Sequence, residues 1–471
     1  MTRPTRKQEL SENHSAKRGK RLSAGGSLDV QHRSNITLAR LQDESRVEIE
    51  TISSSRPRGL LAKGSPFLNV VELFAGAGGM GLGFILAKHA GRRFRLIFSG
   101  EVHPIYVETL KCNHGLFSRM QKPGACLVPE QENVHPIDLD KKNALEHVAS
   151  VARAAGGADV LIGGPPCQGF SSANRNSWSS DNPNNRLVDV FMRYVDKLRP
   201  PVFLMENVQG IVWTAKNGNN NTLSVAEYVL RKMKTFGYLV FPKLLDAVWY
   251  GVPQYRTRFF LMGIHRDTGY CEEDFDDWGP FPTPTHGRSS GRPFVTTREA
   301  IGDLPTIGNG HSVDEMDYCE PATRADNEFL SLMRKCAPKR EILDHVTSRH
   351  ADYVIERYKR IPAGGNWQDI SEMMSNYAQL ERTHSNIYRR LKWDEPSITI
   401  GHYRKSMLVH PEQHRGLSLR EACRLQSFPD WFRFAGTLDG KLGGLMHKQQ
   451  QLANAVCPLV SKAIAEYLLD L

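Results

Sequence analysis

Short apolar strands alternating with helix-forming stretches predict an α/β fold. Its core is a mostly parallel sheet covered by helices on both faces. Three observations carry this. Phe67–Phe74 (FLNVVELF) is an apolar run that stops at the glycine-rich stretch Ala75–Gly79, and Met80–Ala90 then reads as a helix. The pairing recurs, with Arg95–Gly100 as a strand and Val102–Asn113 as a helix. Further short runs follow at Asp159–Gly163 (DVLIG), Val202–Glu206 (VFLME) and Arg258–Ile264 (RFFLMGI), separated by charged stretches that suit surface helices and loops.

The rest of the chain has a different texture. Residues 1–66 hold 13 Lys/Arg against 7 Asp/Glu, with serine-rich stretches and few aromatic residues. Such a segment cannot bury enough apolar surface to order itself. It reads as a disordered basic tail, or as an arm that binds phosphates without sequence preference. Residues 67–266 carry the strand–helix alternation. Residues 267–415 are rich in Pro, Gly, His, Arg and Asp, with a linker-like Gly279–His286 (GPFPTPTH), and read as a smaller irregular domain. Order returns in residues 416–471, where Leu417–Ser427 and Gln449–Leu469 support helices that complete the first domain.

At 471 residues and 40% hydrophobic, the chain has enough material for two domains around a buried core. No uninterrupted apolar run approaches the ~18 residues a membrane span needs, and the first residues lack the apolar stretch of a secretory signal. A cytosolic or nuclear place is expected, with no membrane partner. The net charge of +10 favours a polyanionic partner, most simply nucleic acid. None of the eight cysteines forms a Cys-x-x-Cys pair, so no zinc site is expected.

Four motifs carry chemistry. Phe74-Ala75-Gly76-Ala77-Gly78-Gly79 lies between a strand and a helix, where glycines let the backbone approach a ligand. Glu101 ends the next strand, where an acid can bind ribose hydroxyls. Together they suggest an adenosine-bearing cofactor, with NAD and S-adenosylmethionine both allowed. The second motif, Gly163-Gly-Pro-Pro166-Cys167-Gln168-Gly-Phe-Ser171, is delivered at the carboxyl end of a strand. Two prolines fix the chain before the sulfur, which makes Cys167 a candidate nucleophile; the bland alternative is a small buried apolar residue. The third is Glu206-Asn207-Val208, again at a strand end. The fourth is Gln254-x-Arg256-x-Arg258, where a period of two would place three polar side chains on one face. A carboxyl and two guanidinium groups near a cysteine suit a developing oxyanion.

These motifs, in this order, resemble the DNA cytosine-5 methyltransferases of the prokaryotic modification type. Downstream, Arg420-Glu421-Ala-Cys-Arg424-Leu-Gln-Ser-Phe-Pro429 and Gln451-Leu-Ala-Asn454-Ala-Val456 are similar to that family's last two motifs. The resemblance covers about residues 67–266 and 416–468. Two positions depart from it: the family usually has Gly-Asn where this chain has Ala453-Asn454, and prolines where it has Cys457-Pro458.

The resemblance implies a Rossmann-like, S-adenosylmethionine-dependent methyltransferase sheet with a smaller target-recognition domain in residues 267–415. It implies Cys167, Glu206, Arg256 and Arg258 as the catalytic set. Cys167 would add to carbon 6 of a flipped-out cytosine, Glu206 would serve ring nitrogen 3 from a raised pKa, Arg258 would bind the ring carbonyl, and Arg256 would support the loop. Phe74, Ala75, Gly76, Gly78, Gly79, Glu101, Asp138, Pro166 and Asn454 would hold the cofactor. Gln168, Ser171, Arg186, Gln254 and Arg404 would touch DNA, with Gln168–Asp181 closing over the flipped base. Arg349, His350, Lys359, Arg360, Arg389 and Arg390 are further donors for bases or phosphates.

The implied partner is double-stranded DNA, bound by a monomer, with a cognate restriction or defence nuclease acting on the same site. The implied place is the cytoplasm of a prokaryote, or the nucleus of a eukaryote. Three other readings stay open on the residues: a transfer-RNA cytosine methyltransferase on the same scaffold, a catalytically inactive DNA-binding regulator, and a dehydrogenase using the glycine-rich loop.

Overall fold

The computed structural model describes residues 66–120, 133–166, 186–212, 224–288, 290–319, 327–377, 386–401, 407–436 and 444–471. Cys167, Gln168, Ser171, Arg404, the Gln168–Asp181 loop and the basic tail up to residue 65 lie outside the described residues.

The strands in chain order are β1 (Phe67–Leu73), β2 (Lys88–His89), β3 (Arg92–Glu101), β4 (Val134–Pro136), β5 (Val160–Gly163), β6 (Val202–Val208), β7 (Tyr238–Asp246) and β8 (Thr257–His265). They form one sheet in the order β2-β3-β1-β5-β6-β8-β7, with β4 beside the end of β3. β1, β3, β4, β5 and β6 are parallel, and β8 runs antiparallel between β6 and β7. From central β1 the chain first builds outward through β3, then crosses to β5 on the other side. The carboxyl ends of β1 and β5 therefore flank a switch point, the place where open α/β sheets bind ligands.

Alternate residues of each strand feed two cores. Val70, Ile162, Leu204 and Met262 face one side. That side is covered by α1 (Gly79–Leu86), part of α2 (Pro104–Met120), and, from the end of the chain, α9 (Leu419–Leu425), α10 (Gly444–Asn454) and α11 (Pro458–Asp470). Val71, Leu161, Phe203 and Leu261 face the other. There α3 (Lys142–Ala154), α4 (Arg186–Leu198) and α5 (Val225–Thr235) pack. Each such side chain contributes about 1.5–3 kcal/mol when removed from water, so both faces must be covered. The expected doubly covered sheet is present.

Three expectations change in detail. The first helix ends at Leu86, and a two-residue turn at Ala90 and Gly91, with φ of 46° and 80°, folds β2 back onto β3. Positive φ at both centres matches the twist of the flanking strands. Gln449–Leu469 is two helices, because Pro458 has no N–H to continue the first and instead starts the second. As one stretch, Gly444–Asp470 is long and apolar enough to cross a membrane, but 61% of its most apolar window is buried in the fold.

The expected boundary after residue 266 is not a break in packing. Phe281, Ile301, Phe329 and Ile400 share the core of α1 and α11. The region contributes two short helices, α6 (Thr297–Ile301) and α7 (Glu328–Met333), and a small hairpin of β9 (Glu315–Asp317) and β10 (Glu341–Leu343). Among the described residues, a separate small core forms around α8 (Asp352–Arg360), from Val354, Tyr358, Ile370, Met374, Tyr388 and Val409. Buried ion pairs tie the region to α9: Arg424 grips Asp430 through two nitrogens, at 2.9 and 2.8 Å, and reaches Asp303 at 2.5 Å.

Candidate active site

A cavity of about 680 Å³ opens at the carboxyl ends of β1, β3, β5 and β6. The size is that of a cofactor pocket. Phe74 leaves β1 with φ 52°, Gly76 follows at 55°, and Gly78 at 83° becomes the residue that caps α1. The positive φ favours glycine at 78, and a Cβ there would also push on the Leu110 side chain at 2.7 Å. The Ala75 N–H donates to Gly100 O and ties the loop to β3. Phe74, Ala75, Gly76 and Gly79 line the cavity, whereas Gly78 does not; it shapes the loop instead.

Glu101 is buried at the cavity wall and accepts three backbone N–H donors, from Gly76 at 2.9 Å, Val102 at 2.9 Å and His103 at 2.8 Å. A carboxylate has about four lone-pair sites. That leaves about one for a ligand hydroxyl, rather than an open bidentate pair. Asp138, Pro166 and Asn454 also line the cavity. Asn454 sits at the end of α10 and donates its amide to the Tyr106 hydroxyl at 3.4 Å. Ala453 is helical and not among the residues with positive φ, so alanine costs nothing there. Cys457 is buried at the start of α11, and burial pushes its thiol up to about 11, so it remains protonated.

The polar end of the cavity is built by β5, β6 and β8. Val208 pairs with Arg258, which places the Arg258 guanidinium 3.3 Å from Glu206 Oε1. Burial raises the Glu206 pKa, and the neighbouring Arg258 and Arg256 charges only partly oppose it. The raised value expected from the resemblance is therefore present, with desolvation as its cause. Asn207 donates its amide to Pro165 O at 3.0 Å and so anchors the segment that leads to Cys167. Gly164 keeps that segment close, since a Cβ there would lie 3.2 Å from Glu206 Oε2.

Two expected site residues prove to be internal. Gln254 is fully buried; its amide donates to Leu425 O and accepts from Ile400 N, so it is not placed to touch DNA. Arg256 is also buried, away from the cavity, and donates to Ile400 O at 2.9 Å, Ala453 O at 2.7 Å and Ala455 O at 3.1 Å. It clamps the end of α10 rather than facing the reacting groups. The period-two argument fails because β8 begins only at Thr257, so Gln254 and Arg256 precede the strand. Arg390 is likewise buried, donating to Ile361 O and His410 O. Arg186 is exposed at the start of α4, where it pairs with Asp140 at 2.5 Å. Arg349, Lys359 and Arg360 are exposed, and His350 and Arg389 are half-buried.

Sequence reasoning missed Glu72. It is buried under the glycine loop, accepting from Gly81 N at 2.8 Å and Ser99 Oγ at 3.2 Å. Desolvation lifts its pKa to about 7. Its signal was an acid inside a mostly apolar strand. The α10 residues His447, Gln450 and Gln451, which also line the cavity, were missed as well.

The family model for C-5 cytosine-specific DNA methylase matches residues 68–470. The chain is 32% identical over 406 residues to the type II methyltransferase M1.HphI of Haemophilus parahaemolyticus, covering 86% of this chain and 87% of that one. It is 28% identical to M.AgeI of Thalassovita gelatinovora, over 85% and 98% of the two chains. A crystal structure described as a prophage-encoded DNA modification methyltransferase from E. coli superposes with a TM-score of 0.62 at 25% identity, covering 86% of this chain and 99% of that chain.

Proposed function

The chain belongs to the C-5 cytosine-specific DNA methylases, which move a methyl group from S-adenosylmethionine to carbon 5 of cytosine in DNA, and from that premise we propose how its residues divide the work. The observation that carries the reading is the Glu206–Arg258 pair, 3.3 Å apart at the sheet's carboxyl edge, beside the Gly164–Pro166 segment that leads to Cys167.

The donor set fits the cofactor. The cavity offers backbone turns for close approach, the Glu101 carboxylate for a ribose hydroxyl, Asp138 for an exocyclic amine, and an apolar wall from Phe74 and Ile137. When bound, S-adenosylmethionine supplies an electrophilic methyl group. Cys167, as thiolate, adds to carbon 6 of the flipped base, which makes carbon 5 nucleophilic. Glu206, whose pKa burial raises, donates a proton at ring nitrogen 3 and so neutralises the charge that the addition would otherwise leave there. Arg258 donates to the ring carbonyl. After transfer, carbon 5 gives its proton to a water base, the sulfur leaves carbon 6, and ring nitrogen 3 returns its proton to Glu206, which restores the ring and the free thiolate. Arg256 serves by holding the cofactor wall at Ala453 and Ala455.

The small unit around α8 is assigned to reading the duplex, with exposed Arg349, Lys359 and Arg360 as donors to bases or phosphates. Arg186 is assigned to phosphates. Relatives named as type II methyltransferases support a role as the modification partner of a nuclease that acts on the same site. The enzyme works in the cytoplasm, as a monomer on DNA.

The test is covalent trapping. A duplex carrying 5-fluorocytosine cannot lose a proton from carbon 5, so wild-type protein should stay attached in the presence of S-adenosylmethionine. Cys167→Ser should neither trap nor methylate, yet should still bind DNA. Near wild-type methylation by the serine variant would overturn the assignment. Bisulfite sequencing of DNA from expressing cells gives the recognised site.

A further inference from the structure

Helix α10 has two working faces. His447, Gln450, Gln451 and Asn454 line the cofactor cavity, a spacing of three, four and seven residues that collects side chains on one helix face. Lys448 and Gln449 lie on the opposite side. Lys448 Nζ is 2.6 Å from Asp344 Oδ1, and Gln449 Nε2 donates to Ser348 Oγ at 3.2 Å.

The segment these two grip is itself tightly held. Asp344 is fully buried with φ 61°, a conformation that a non-glycine residue keeps only where its surroundings over-determine it. Besides Lys448, the Arg433 guanidinium lies 3.2 Å and the Arg420 guanidinium 3.7 Å from its carboxylate. The Arg420 and Leu419 N–H groups donate to Asp344 O and Val346 O. From Ser348 the chain runs directly through Arg349 into α8 and the small second core. One helix thus walls the cofactor cavity and, on its other side, grips the base of the unit assigned to the duplex.

We propose that α10 couples the two binding events, with Lys448 and Gln449 as positioning residues: cofactor in the cavity seats α10, and α10 seats Asp344–Ser348 and the DNA-reading unit beyond. Both ligands order the same helix, so the second to bind meets part of the ordering cost already met. Coupling is reciprocal, so cofactor tightens duplex binding by the same factor as duplex tightens cofactor binding. The inference rests on the cavity being the cofactor site and on the α8 unit facing DNA.

The test is a binding cycle on the full chain. The probes are S-adenosylhomocysteine, which cannot donate methyl, and a short duplex carrying the site mapped by bisulfite sequencing. Duplex affinity is measured by anisotropy with and without saturating S-adenosylhomocysteine, and the reverse by calorimetry. Wild type should show a coupling factor within the usual range of about 5–150-fold. Lys448→Met, which keeps the aliphatic stem, should bring the factor to within about twofold of one while each ligand alone still binds. Lys448→Arg should restore it. Asp344→Asn, tolerant of the left-handed backbone, should behave like Lys448→Met. A merely structural role would weaken binding or lower the melting temperature without changing the factor. Equal coupling in wild type and Lys448→Met overturns the proposal, as does an absence of coupling in wild type. Failure of S-adenosylhomocysteine to bind wild type at all would instead strike the cofactor-site reading.

Discussion

Glu206 and Glu72 lie near the carboxyl ends of β6 and β1, with β5 between them, and different donors face them. Among the described residues Glu206 pairs with the Arg258 guanidinium at 3.3 Å, and burial raises its pKa, which favours its acting as a proton donor to a substrate ring. Glu206→Gln should lower the methylation rate by about 10²–10⁴-fold, the usual worth of general acid–base help. Calorimetric affinity for S-adenosylmethionine should stay close to wild type, and Glu101→Ala should show the reverse pattern. Loss of cofactor affinity in the first variant and not in the second would contradict both assignments. Glu72 instead receives the Gly81 N–H and the Ser99 hydroxyl, and it tacks α1 to the sheet. Its pKa in the fold is about 7 against an ordinary 4.5, so the folded state holds the proton more tightly than the unfolded chain does. The associated stability is full below about pH 4.5 and is lost as pH rises through about 7. A glutamine at this position has no proton to lose. The stability of wild type relative to Glu72→Gln should therefore fall by up to about 3 kcal/mol across that window. Urea melts of the two proteins at a series of pH values measure it, and a flat difference would show that Glu72 does not titrate there.

Helices α1 and α11 meet at contacts that leave no room for a side-chain carbon. A Cβ on Gly83 would fall 2.1 Å from Ser461 Oγ and 2.5 Å from Pro458 O, so α1 and α11 pack backbone against backbone. Gly83→Ala should lower stability by about 1–3 kcal/mol, the usual cost of overpacking, read as a shift in the urea midpoint. Arg256 and Gln426 hold the carbonyls at the end of α10. Arg256→Lys keeps the charge but loses the fork. It should destabilise by about 1.5–3 kcal/mol and weaken cofactor binding, while saturating cofactor should recover most of the rate. A lost rate that cofactor cannot recover would return Arg256 to the reacting groups. Elements of this kind set what could be read in advance. β1, β3, β5, β6 and β8 were legible because most of each is buried on both faces and each carries a short apolar run. β2 and β4 are two and three residues long and carry no pattern. The catalytic strand ends were legible from residue types alone. The internal roles of Gln254, Arg256 and Arg390 were not, since a buried arginine that satisfies carbonyls looks, in sequence, like one that faces DNA.

Over the whole molecule, positive charge is unevenly spread. The chain's excess is +10, and its first 66 residues hold 13 Lys/Arg against 7 Asp/Glu, over half of it. That segment is serine-rich, has few aromatic residues and lacks apolar periodicity, so it can contribute little to a core. Removing residues 1–60 should therefore leave the catalytic fold and its site preference intact. If the segment acts as a basic arm, each phosphate it neutralises releases counterions, and the logarithm of the binding constant falls with the logarithm of salt in proportion to their number. The truncated protein should bind all duplexes more weakly at low salt, with a flatter slope, and the two proteins should converge as salt rises. Phosphate contacts carry no sequence information, so the ratio of target to non-target affinity should not move. Anisotropy titrations of both proteins on both duplexes across a salt series decide it. Identical slopes would leave the segment without a role in DNA binding. A truncated protein that lost only its preference for the mapped site would place base reading in the first 60 residues, and the assignment of that work to the α8 unit would fall.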